Sequence, residues 1–168
     1  TYPLPEAQLD RFLVQINVEY PDRDTERDIL LATTGIAEEE AHAVFTPAEL
    51  MAAQTVLRRM PVGEQVVDLI LDLVRACRPD EPGAPEAVTK NVSWGPGPRA
   101  AQALMLTVRA KALLDNRLAP SPQDVVEMAE PVLLHRMALT FAARARGESL
   151  GDIIHAVAAD ITRVEAAA

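Results

Sequence analysis

Two arginines sit where a cation could do chemistry. Arg11 lies in Pro5-Glu6-Ala7-Gln8-Leu9-Asp10-Arg11-Phe12, between a proline-led turn and an alternating apolar run, where a long side chain at the start of a strand can project from a sheet's end. Arg99 follows Gly95-Pro96-Gly97-Pro98, which places it in the first turn of a helix with Pro98 at the first position. A cation there opposes the helix dipole by about 0.3 to 1 kcal/mol and calls for a counter-charge. A bound phosphate would supply it, with Gly95 and Gly97 letting the backbone come close, and a structural carboxylate would supply it equally well. For Arg11 the plain partner is Asp10 or Glu6, in an exposed ion pair worth at most about 1 kcal/mol.

Other chemistries lack their residues. His42, His135 and His155 are far apart, and none has a second His or Cys at helical ligand spacing, so no metal site is expected. The sequence holds no G-x-S-x-G elbow, no supported Cys/His nucleophile pair and no G-x-x-x-x-G-K-[ST] phosphate loop. Cys77 is the only cysteine; it excludes an internal disulfide, and its place in an apolar helical stripe predicts a buried thiol in a reducing, cytoplasmic setting.

The elements that must position the arginines are mostly helical. A chain of 168 residues can bury about 70% of its unfolded surface, enough for one self-sufficient core. Apolar residues make up 49%, charged residues 24% and aromatics only 4%, which favours helices packed through aliphatic stripes over a β-sandwich. The net charge of −9 repels phosphate backbones and argues against a nucleic-acid partner. No apolar run approaches the roughly 18 residues that span a bilayer, so no membrane insertion is expected.

Thr1-Tyr2-Pro3-Leu4-Pro5 predicts a stiff extended beginning, and Glu6 to Asp10 a short helical turn. Phe12, Val14, Ile16 and Val18 alternate with Leu13, Gln15 and Asn17 as in a strand that Tyr20-Pro21 ends. No second run alternates comparably, so this strand's neighbours are expected to lie outside the chain. From residue 21 the punctuation is helical. A helix is expected over Thr25–Thr34 with Gly35 as a left-handed terminator, and a second after the capping box of Thr46, Pro47 and Glu49, carrying Leu50, Ala53, Val56 and Leu57 inward. Gly63 opens a third with Val66, Val67, Leu69, Ile70, Leu73, Val74 and Cys77 in an amphipathic stripe. Pro79 to Pro85 reads as a mobile surface loop. A long helix is expected from Pro98 to about Asn116, burying Ala100, Leu104, Val108 and Ala112; another follows Ser121-Pro122-Gln123-Asp124 and is broken or kinked by Pro131; Ser149 and Asp152 start the last, whose alanine-rich end should fray.

Taken together, Pro5-Glu6-Ala7-Gln8-Leu9-Asp10-Arg11-Phe12, Tyr20-Pro21, Gly95-Pro96-Gly97-Pro98-Arg99-Ala100 and Val132-Leu133-Leu134-His135-Arg136-Met137 resemble MoxR-family AAA+ ATPases in order and spacing, over nearly the whole chain. The resemblance implies a mainly α fold. Residues 1–20 would end the α/β nucleotide-binding core with its last strand and arginine-finger segment, and residues 21–168 would form the C-terminal helical lid bundle with an extension. It implies that Arg11 is an arginine finger acting in trans and Arg99 a sensor 2 acting in cis, with ATP and Mg2+ bound by a longer parent chain whose phosphate-gripping motifs lie upstream. It also implies a homo-oligomeric ring, a hexamer, serving a protein client or a von Willebrand A-type partner. The family usually has Ser or Thr where Gly97 stands, which removes a hydroxyl cap from the helix. With the core truncated, the face from Phe12 to Val18 should be uncovered and residues 1–20 poorly ordered or supported by another copy. The competing function is a non-enzymatic helical adaptor with solvated arginines.

Overall fold

The computed structural model describes residues 4–35 and 41–166, with side chains through 163. The expectations for residues 1–3 and for the last two alanines fall outside those residues.

The core is built by four helices: α4 (Glu64–Ala76), α6 (Pro98–Leu114), α7 (Pro122–Leu133) and α9 (Leu150–Ala166). They pack through aliphatic stripes that include Leu69, Leu73, Leu104, Val108, Val125, Val132 and Ile154, each at most 1% exposed. The stripe of α4 buries as read, Cys77 included, except for the half-buried Val67, and α6 buries Ala100, Leu104, Val108 and Ala112. Its apolar residues recur every three or four positions, which gathers them on one face of a 3.6-residue helix. α7 starts at a capping box in which Ser121 and Asp124 exchange hydrogen bonds. The helix runs on through Pro131 to Leu133 instead of breaking there, and a 3-10 turn, Leu134–Arg136, follows. Proline at the tenth of twelve positions forgoes only the bond its missing N–H would have given to the Glu127 carbonyl, and the helix continues for just two residues beyond it.

The N-terminal arm departs from its expected form. α1 (Glu6–Leu9) is the short turn anticipated, but Phe12 to Val18 forms no strand. A strand is defined by its ladder, and among the described residues nothing lies beside this run to complete one. Ile16 and Val18 are 78% and 90% exposed, while Val14 packs against the helical core and the Gln15 N–H donates to the Pro131 carbonyl at 2.8 Å. The arm thus takes its support from the chain's own C-terminal half.

The strands lie elsewhere. β1 (Val92–Trp94), after the short helix α5 (Glu86–Asn91), pairs antiparallel with β2 (Ala138–Leu139), and the Ser93 hydroxyl adds bonds to the Ala138 and Leu139 carbonyls at 3.1 and 3.3 Å. α8 (Phe141–Ala145), capped by Thr140, leads from β2 toward α9. The loop from Pro79 to Pro85 is tied down by an ion pair between Arg75 and Glu81.

Two further helices bury nothing. α2 (Arg23–Thr33) starts at Asp22, whose carboxylate accepts from the Thr25 N–H, and α3 (Pro47–Arg59) has the anticipated Thr46/Glu49 capping box. Gly35 does not terminate α2 in the left-handed region, since the left-handed glycines are Gly83 and Gly147. Leu50 and Val56 of α3 are 55% and 52% exposed rather than buried. The stripe on α3 is real, but its contact with α6 leaves only Leu57 half-buried and the rest of the stripe exposed.

Candidate functional site

Arg99 is placed by glycine geometry. Gly95 is pressed on the end of α4: a Cβ there would stand 2.8 Å from both the Arg78 Cα and the Cys77 carbonyl oxygen, and 3.0 Å from the Pro79 Cδ. Arg78 Nε donates to the Pro96 carbonyl at 3.0 Å and closes the loop onto α4. Gly97 then serves as the N-cap of α6 in an extended conformation, with no side chain to cap the helix, followed by Pro98 and Arg99. The missing hydroxyl cap read from the sequence is therefore missing at the N-cap position itself.

Arg99 stays half exposed, its Nε 4.0 Å from Asp10 Oδ2. Of the two counter-charges open to it, the Asp10 carboxylate lies within ion-pair reach. Arg11 is exposed and makes no hydrogen bond or ion pair with a side chain among the described residues, so the pairing with Glu6 or Asp10 does not form. Both arginines border one open hollow of about 220 Å3, with Asp10, Leu13, Gln102 and Arg136. Two guanidinium groups with fork-like donors at such a rim suit a phosphate or carboxylate ligand, which each can bind through paired hydrogen bonds.

Arg136 is the site residue that motif reading passed over. It is 2% exposed, carried by the turn after α7, and its Nε donates to Asp10 Oδ1 at 3.2 Å. Its Nη1 donates to the Leu13 carbonyl at 3.2 Å and to that of Val132; its Nη2 donates to the Asp10 carbonyl at 3.3 Å and to that of Phe12. Burial lowers its pKa from the ordinary arginine value, opposed by the Asp10 carboxylate. His135 beside it donates from Nε2 to the Phe12 carbonyl at 3.1 Å, which fixes its tautomer, since a carbonyl can only accept. Burial lowers the His135 pKa, so the ring is neutral near pH 7. A charged residue inside the apolar run Val132 to Leu139 was the available signal, because an arginine buried among aliphatics must be paired.

The remaining chemical candidates fall away. His155 pairs with Glu130 at 2.7 Å, His42 is exposed, and no group of His, Cys, Asp or Glu able to hold a metal occurs among the described residues. Burial pushes the Cys77 thiol up to about 12, which keeps it protonated and unreactive. No described helix is long and apolar enough to cross a membrane.

This helical unit with a cationic hollow at its junction is an AAA lid domain. The family profile of that name matches residues 85–157. A crystal structure from Cytophaga hutchinsonii, described as that of a candidate ATPase, superposes with a TM-score of 0.84 at 30% identity, over 93% of this chain and 48% of that one. The chain is 37% identical to Chaperone MoxR1 of Mycobacterium tuberculosis over 144 residues, covering 86% of this chain and 38% of the relative. It is 32% identical to Protein MoxR of Paracoccus denitrificans, covering 89% and 48%, and 32% identical to the uncharacterized protein YeaC of Bacillus subtilis, covering 88% and 43%. The chain belongs to the MoxR family of AAA+ ATPases, as its lid-domain region. It spans less than half the length of these curated relatives.

Proposed function

We propose that this chain is the lid portion of a ring-forming ATPase that couples ATP hydrolysis to chaperone-like assembly or activation of partner proteins. The observation that carries the reading is that Arg11 and Arg99 both present exposed side chains at the rim of an open hollow where the N-terminal arm meets α6, from which each can reach outward to a different phosphate. In this reading residues 1–20 close the nucleotide-binding core, residues 21–168 form the lid, and a hexameric ring brings the arginines to ATP. Arg11 reaches the γ-phosphate held by a neighbouring subunit, and Arg99 reaches the nucleotide of its own.

The chemistry is phosphoryl transfer to water. Charge spreads over the transferring group, and fixed cations stabilise it without a covalent intermediate. The described residues offer no ligand set for Mg2+, which falls to the rest of the parent protein. ATP contacting both core and lid would hold them closed, and loss of the γ-phosphate would release the lid, so lid rotation is the output passed to a protein client or von Willebrand A-type partner.

The test is ATP turnover by the full-length protein, wild type against Arg11→Ala and Arg99→Ala. An arginine finger supplies roughly 10³ to 10⁵ in rate, so Arg11→Ala should all but abolish turnover. Mixing Arg11→Ala with a variant dead in its own ATP site should restore activity if the finger acts in trans. The same mixing with Arg99→Ala tells whether that arginine serves its own nucleotide or a neighbour's. The second reading, a non-enzymatic adaptor, draws on the exposed apolar residues of α2 and α3. It takes over if neither substitution slows turnover.

A further inference from the structure

Among the described residues no side chain holds that of the exposed Arg11, yet the segment on both sides of it takes five hydrogen bonds from two residues near the far end of the chain, four of them at backbone carbonyls and one at the Asp10 carboxylate. Arg136 donates to the carbonyls of Asp10, Phe12 and Leu13 and to the Asp10 carboxylate, and His135 donates to the Phe12 carbonyl. With Val132 as the fifth acceptor, all five N–H groups of Arg136 are used. Every bond that these two residues make to the arm lands on residues 10, 12 or 13, which flank position 11. A residue needed only to cover the arm would have no reason to converge on those three.

We propose that Arg136, assisted by His135, is a positioning residue for Arg11: it fixes the backbone from which Arg11 reaches its phosphate, and it ties that position to the lid. The proposal rests on the reading of Arg11 as an arginine finger. Arg136 follows α7, α7 packs on α6, and α6 carries Arg99 at its start. The residue that senses nucleotide and the residue that presents the finger therefore belong to one packed unit. A lid movement triggered through Arg99 is carried to Arg11 through Arg136, and the Asp10 carboxylate lies between them, 3.2 Å from Arg136 Nε and 4.0 Å from Arg99 Nε. A phosphate on Arg99 would draw it from Asp10 and leave that carboxylate to Arg136 alone.

The test uses the full-length protein in its assembled ring and compares wild type, Arg11→Ala, Arg136→Lys and the double variant. Lysine keeps the positive charge beside Asp10, but a three-donor point charge cannot span the carbonyls on both sides of residue 11. Misplacing a catalytic group by about 1 Å costs roughly 10²-fold, so Arg136→Lys should lower kcat on that order while the affinity for a fluorescent ATP analogue and the ring size stay as in wild type. In the Arg11→Ala background Arg136→Lys should cause no further loss, because its effect passes through Arg11. Losses that multiply in the double variant, or an Arg136→Lys ring with wild-type kcat, would overturn the proposal. Should Arg136→Lys fail to assemble, His135→Ala carries the test. It removes one donor on the Phe12 carbonyl, so a smaller fall in kcat that vanishes in the Arg11→Ala background is expected, and an unchanged kcat refutes the idea. An Arg11→Ala ring that hydrolyses ATP like wild type would instead sink the finger reading itself.

Discussion

Two glycines in one motif should respond oppositely to the same substitution. At Gly95 a new Cβ meets backbone on two sides, 2.8 Å from the Arg78 Cα and 2.8 Å from the Cys77 carbonyl oxygen, with the Pro79 ring at 3.0 Å. None of these is a flexible side-chain end, so the start of the loop or the end of α4 must move, and the Arg78 to Pro96 bond loosens with it. Overpacking of this kind costs about 1 to 3 kcal/mol. For a chain of this size each kcal/mol lowers Tm by about 2 to 4 °C, so Gly95→Ser should melt about 2 to 12 °C below wild type. At Gly97 nothing lies within 4 Å of a new Cβ, and φ −82°, ψ −178° suit any residue. Serine there restores the N-cap hydroxyl, worth a few tenths of a kcal/mol over glycine, and restricts the unfolded chain by about 0.4 to 1 kcal/mol. Gly97→Ser should therefore melt about 1 to 6 °C above wild type. Thermal unfolding followed by far-ultraviolet circular dichroism reads both. A Gly95→Ser Tm at or above wild type would refute the close-approach argument, and a Gly97→Ser Tm as low as that of Gly95→Ser would refute the N-cap assignment.

Acid sensitivity should centre on Asp124. Arg117 grips this carboxylate with bonds of 2.7 and 2.6 Å, and with help from Ser121 lowers its pKa from 3.8 to about 2. A depressed folded-state pKa gives stability that is full above the unfolded value and is lost as pH falls toward 2. The shift is worth about 2 kcal/mol, so denaturant unfolding of wild type should weaken by about that much across this window, while Asp124→Asn should lack that component. An identical acid slope in both would exclude Asp124 as the cause. Cys77, fully buried with its pKa near 12, should resist a thiol reagent at mildly alkaline pH and react fully only after denaturation. Rapid labelling of the native chain would show that the end of α4 opens.

The helices and caps were legible because their signals are local. Thr46 with Glu49 and Ser121 with Asp124 carry both halves of a capping box within four residues, and the stripe of α4 repeats over several turns. The failures concern what lies opposite. The α3 stripe names one face of a helix, not whether anything packs on it, and Leu50 and Val56 remain exposed. The alternation from Phe12 to Val18 describes a chain able to join a sheet, but a ladder needs a second chain. Val92–Trp94 and Ala138–Leu139 are too short to alternate visibly, and their pairing joins residues 44 or more positions apart. At the site, Arg11 and Arg99 stood out by position, while Arg136 acquires meaning only once the fold brings Asp10 to Leu13 beside it.

The bond between Arg136 and Asp10 joins positions 126 residues apart. A ribosome adding about 5 to 20 residues per second delivers the two ends roughly 6 to 25 s apart. Throughout that interval the arm has been made but its clamp has not, and the carbonyls of Asp10, Phe12 and Leu13 stand without their donors. A nascent chain therefore acquires a fixed Arg11 only after α7 is complete. Synthesis itself would then delay activation: a partly made subunit could offer its apolar arm to a chaperone before it could offer a finger to a neighbour.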